Sequence, residues 1–174
     1  MTKGEAKSLF LYYMGEATVN GQNKDDLDLS QTFNNLLNSA VVFVSSAFPT
    51  RVVVSAPKEW ETPSDFVEIL RTFGSSGEAV PYYRKGQKKF IFEEECDVEY
   101  SHLPEYISPF ADESVVLDIG ERAAQLVPLK IAIDAALGRE EYSYKVPSLS
   151  EQYNTMANAV TEANAITLKR VFRV

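Results

Sequence analysis

Apolar residues recur at helical spacing over four stretches of this chain. Leu9, Tyr12 and Tyr13 place a first helix over residues 3–16 with a stop near Gly15, and a polar loop follows at 20–24. The second stretch is the strongest. Phe33, Leu36, Leu37, Ala40, Val41, Val44 and Phe48 follow the i, i+3, i+4, i+7 rule, with Asp26, Asp28 or Ser30 as caps and Pro49 as the stop. Its opposite face, Asn34, Asn35, Asn38 and Ser45, is polar but uncharged. A third helix is predicted over 117–137 from Ile119, Ala123, Leu126, Val127, Ile131 and Ala135, kinked at Pro128 and ended by Gly138. The fourth follows Pro147, with Ser148 and Glu151 as a capping box, and runs to 165 through Leu149, Tyr153, Met156, Ala159, Val160 and Ala163.

Between the second and third stretches the period changes to two. Phe90 and Phe92 alternate, as do Val98 and Tyr100, which is the pattern of strands with one buried face. Residues 51–56 are rich in β-branched side chains, and 57–61 carry the single tryptophan, Trp60. Phe66, Ile69, Leu70 and Phe73 fit a helical face too, but Pro63 before and Gly74 after bound a length typical of a strand. Gly74 to Gly77 make a flexible turn and Lys85, Gly86 and Gln87 a hairpin turn. These segments predict a small antiparallel meander. The fold class that follows is α+β, mainly α: a bundle of about four helices with a small hairpin or meander insertion and an extended C-terminal tail. The expected limits are 1–50 and 112–165 for the helical body, 51–111 for the insertion and 166–174 for the tail, all in one domain.

With 174 residues, 45% of them hydrophobic, and a mean hydropathy of −0.19, the chain can bury one ordinary core. No run approaches the roughly 20 apolar residues of a bilayer crossing, and residues 1–7 lack the apolar core of a signal peptide, so a soluble protein made in the cytoplasm is expected. The net charge of −8 argues against a protein that mainly neutralises phosphates. The acidity ends at Glu162, after which Lys169, Arg170 and Arg173 stand among Leu168, Val171, Phe172 and Val174.

Candidates for chemistry are few. The single cysteine, Cys96, lies between Glu95 and Asp97, whose charges oppose thiolate formation. The single histidine, His102, reads as a surface or loop residue, and Ser101 beside it would point to the other side of a strand. Asp25, Asp26 and Asp28 lack the glycine and terminal glutamate of an EF-hand loop, and Glu93, Glu94, Glu95 and Asp97 read as a solvated turn. Phosphate-loop, dinucleotide and His-Glu-x-x-His patterns are absent from the sequence. Tyr82, Tyr83, Arg84, Lys85, Lys88 and Lys89 interleave aromatics with bases, and the neighbouring acids favour a guarded hairpin edge, or one that meets an acidic neighbour, over a nucleic-acid platform. No catalytic set, metal site or cofactor is expected.

The order of parts resembles the head-to-tail connector, or neck adaptor, proteins of tailed bacteriophages. The pieces that carry the resemblance are Pro63-Ser64-Asp65-Phe66, Tyr83-Arg84-Lys85-Gly86, Val98-Glu99-Tyr100 with Leu103-Pro104, and the alanine-rich helices from Leu117 to Ala165. The loop at 20–29 and the segment 56–61 have no counterpart in that pattern. The resemblance implies a non-enzymatic virion protein of the neck, a homo-oligomeric and usually dodecameric ring that docks beneath the portal protein and presents a surface to a downstream neck or tail protein. Partner-binding residues would be Leu168, Lys169, Arg170, Val171, Phe172 and Arg173 of the tail, with Tyr83, Arg84 and Lys85 of the hairpin. An acidic body would line a passage for double-stranded DNA without gripping it, because like charges repel. Two other readings stand beside this one. One is a monomeric ligand- or cation-binding module with an aromatic pocket around Trp60; the other is an acid/base hydrolase using Glu99 and Glu105.

Overall fold

The computed structural model describes residues 1–15 and 27–171, with side chains over 1–15 and 28–163. The chain divides into two compact units, Met1–Phe48 with Glu105–Val174, and Pro49–Pro104.

The first unit is helical. Helix α1, Lys3–Met14, opens on Thr2, whose hydroxyl accepts from the Glu5 amide while the Glu5 carboxylate accepts from the Thr2 amide. It closes on Gly15 at φ 85°, a left-handed position that suits glycine. The Lys145 ammonium donates to the carbonyl of Met14 at 2.8 Å, placing a cation at the negative end of this helix. The buried apolar side chains of α1 are Ala6, Phe10, Leu11 and Met14, whereas Leu9 and Tyr13 are half-buried and Tyr12 is exposed, so the core stripe is rotated from the one the sequence predicts.

Helix α2, Leu27–Ala47, buries Phe33, Leu37, Ala40, Val41 and Val44 as its period requires. The continuous third helix is corrected to two pieces, α3 at Glu121–Ala124 and α4 at Leu126–Leu137. Pro128 has no amide hydrogen to give the carbonyl four residues back, that of Ala124, and the helix is interrupted at Gln125, next to that carbonyl. Helix α4 is apolar on nearly every side and packs against α1, α2 and the last helix, α5. A 3-10 segment, Glu140–Lys145, leads into α5, Val146–Val171. Pro147 therefore lies inside the first turn and Ser148 is no cap; its hydroxyl accepts from Gln152. Of the apolar residues predicted to face the core, Leu149 and Val160 are buried and Ala159 is exposed.

The second unit overturns the prediction of a small hairpin on a mainly α bundle: the protein is a mixed α+β fold whose residues 49–104 carry two three-stranded antiparallel sheets. The strands are β1 (Arg51–Ala56), β2 (Glu59–Glu61), β3 (Phe66–Phe73), β4 (Tyr82–Lys85), β5 (Lys89–Phe92) and β6 (Cys96–His102), ordered β1-β6-β3 and β2-β5-β4. A meander would pair β5 with β6. Instead, residues 93–95 carry the chain from one sheet to the other, and β6 lies between β1 and β3, with Val54 opposite Val98 and Ile69 opposite Tyr100. Both sheets contribute to one core in which Trp60 stands 5.7 to 6.4 Å, ring centre to ring centre, from Phe66, Phe90, Phe92 and Tyr100.

The extended tail is corrected as well. Backbone helix continues through Val171, while the side chains of Leu168, Lys169, Arg170 and Val171, and the whole of Phe172, Arg173 and Val174, lie outside the described residues. The loop predicted at 20–24, Asp25 and the candidate cap Asp26 lie outside them too.

Candidate interaction surfaces

Tyr83, Arg84 and Lys85 all fall on β4, one of the two edge strands of its sheet, and all four residues of β4 are exposed. The strand exists because Gly86, at φ 80°, allows the chain to turn back on itself, and because Tyr82 lays its ring on Phe90 and Phe92 of β5. The Arg84 guanidinium closes the turn, donating to the carbonyls of Gly86 at 3.1 Å and Gln87 at 2.6 Å, with its carbon 5.9 Å from the Phe90 ring centre. Lys85 meets Glu59 at 3.2 Å, and this contact holds the exposed Glu59 carboxyl below its ordinary range, with Lys89 adding to the effect. Tyr83 stays 63% exposed. The hairpin therefore offers aromatic and cationic groups along an edge with unpaired backbone, a surface suited to a partner.

The residues weighed for chemistry have structural partners. Glu99 lies across from two arginines, Arg51 at 3.3 Å and Arg71 at 3.9 Å, on the outward side of β6. Glu105 gives its amide to the Asp118 carboxylate at 3.0 Å. His102 is corrected from a surface residue: its side chain is 8% exposed at the end of β6, with Nδ1 3.1 Å from the Leu103 carbonyl and 3.6 Å from Asp65. Ser101 is buried. Cys96 is buried, and that burial, ahead of the charges of Asp97 and Glu94, lifts its thiol above the ordinary range. Among the described residues no group of three or more His, Cys, Asp or Glu side chains could hold a metal ion. The rings around Trp60 are packed on one another as core.

Residues 105–111, expected within the β insertion, belong to the helical unit instead, and the sequence did not mark what they display. Tyr106 is 75% and Phe110 97% exposed in a segment whose neighbours Ile107 and Leu117 are buried. No period marks such residues; the available signal is two aromatics within an acidic, proline-containing stretch. Among the described residues no helix is long and apolar enough to cross a membrane. Neither a protein-family model nor a curated protein matches the chain.

Proposed function

We propose that this protein is a neck connector of a tailed bacteriophage, acting as a closed ring of identical copies between the portal protein and a downstream neck or tail protein. The observation that carries the reading is the organisation of the chain: a helical unit assembled from both ends, with a complete β unit inserted between Phe48 and Glu105. That β unit presents an exposed aromatic and basic edge at Tyr83, Arg84 and Lys85. Ring subunits need two different surfaces that meet head to tail, and the net charge of −8 suits a wall past which DNA slides. In this role the protein needs no cofactor, and its place is the virion neck.

Native mass spectrometry and cryo-electron microscopy of the purified chain, alone and with its portal ring, test the proposal. A closed ring seated on the portal is expected. A protein that stays monomeric at every concentration and shows no affinity for the portal overturns the reading.

A further inference from the structure

Phe110 is the most exposed large apolar side chain among the described residues, yet its backbone is tied on both sides. The Lys3 ammonium, in a residue only 4% exposed, donates to the carbonyls of Pro109 at 2.8 Å and Ala111 at 2.9 Å. The Ala111 amide returns to the Ser108 carbonyl at 3.0 Å, and the amides of Lys3 and Gly4 donate to the carbonyls of Val115 and Glu113, each at 2.8 Å. Asn38 grips Ile107 on the other side of the turn. Sequestering an ammonium from water is costly, and burial pulls the Lys3 pKa below its ordinary value. The result is a phenyl ring held in water by a fixed frame, which gives up little backbone freedom on docking and so has the properties of a preorganised anchor.

Charge indicates what it docks on. From Glu105 to Asp118 the chain carries Glu105, Asp112, Glu113 and Asp118 and no lysine or arginine, with Lys7 meeting Glu113 at 3.2 Å. From Tyr82 to Lys89 it carries Arg84, Lys85, Lys88 and Lys89 and no acid, beside the exposed rings of Tyr82 and Tyr83. Copies of a chain with net charge −8 repel one another in general. A contact between an acidic and a basic surface is the one that overcomes this repulsion and selects a register.

We propose that the Phe110 loop of one copy docks on the β4–β5 hairpin of the next, with the ring of Phe110 against Tyr82 and Tyr83 and the acids at 112 and 113 facing the lysines at 88 and 89. The two surfaces differ, so the contact is heterologous and repeats from copy to copy. This inference rests on the ring reading and assigns its subunit interface.

The full chain carrying a benzophenone amino acid at position 110 is irradiated, alone and on the portal ring, and the crosslinked peptides are identified. Crosslinks into residues 82–89 of a second copy are expected. Phe110→Ala should abolish assembly without lowering Tm. Glu113→Lys and Lys88→Glu should each weaken assembly, and the double variant should recover it. Rings whose crosslinks fall elsewhere, or charge reversals that the double variant does not rescue, overturn this interface while leaving the ring reading standing. A monomer without portal affinity overturns both.

Discussion

The side-chain amide of Asn38 bonds both backbone polar groups of Ile107, donating to its carbonyl at 2.8 Å and accepting from its amide at 2.9 Å. One side chain of α2 thus stands in for a strand neighbour and fastens the irregular segment that displays Tyr106 and Phe110. Asn38→Ala leaves two partly buried backbone groups without that partner and should cost on the order of 2 kcal/mol or more in urea unfolding. A loss below about 0.5 kcal/mol would mean that water replaces the amide fully.

Leu37 is 1% exposed in the centre of the α2 stripe. Leu37→Ala should destabilise the helical unit by about 2 to 5 kcal/mol, read by circular dichroism at helical wavelengths. The single tryptophan lies in the other unit, at the centre of its aromatic core, so Trp60 fluorescence reports that unit separately. If Leu37→Ala shifts neither signal, the stripe does not carry the helical core.

Lys3 supplies a pH test. Its folded-state pKa lies below the ordinary 10.5, first because of burial, so the folded state binds fewer protons at this site than the unfolded chain in the window below 10.5. Stability from this group therefore rises with pH through that window and is lowest where Lys3 is fully charged in both states. The stability difference between the wild type and Lys3→Met should move in favour of the wild type as the pH is raised from neutral toward 10. A difference that stays flat would show that the ammonium is as well solvated folded as unfolded.

Cys96 should resist thiol reagents in the native protein, because the group is buried and its thiolate is disfavoured by that burial and by Asp97 and Glu94. Labelling kinetics across a urea titration should follow unfolding of the β unit as seen by Trp60. Rapid labelling in native buffer would contradict the placement of β6.

Deleting residues 166–174 removes the end of α5 but none of its described buried side chains, since Leu149 and Val160 both precede the cut. Under the connector reading Tm should change little while docking to the portal is lost. A large fall in Tm would instead assign these residues to the protein's own fold.

The periods of α2 and β5 were legible because each repeats one geometry over its length: every third or fourth residue from Phe33 to Val44, and every second from Phe90 to Phe92. The hairpin surface at Tyr83, Arg84 and Lys85 was legible for a similar reason, since Gly86 marks the turn between two β-patterned runs. Alternation tells which face of a strand is buried, however, and nothing about its partner. The same amide and carbonyl groups line every strand, so the pairing of β6 with β1 and β3 was decided by where Tyr100 and Val98 could join the rings around Trp60. The buried face of α1 was decided in the same way, because Leu9, Tyr12 and Tyr13 compete with Phe10, Leu11 and Met14, and packing against α4 selects the second set. At the C-terminus the apolar and basic residues suggest a strand, but no glycine or proline follows Pro147 to stop the helix, and the backbone stays helical through Val171. Phe110 is the clearest case of what only the tertiary structure decided: its exposure depends on Lys3 and Asn38, which are distant in sequence and meet the loop only once the helices have packed.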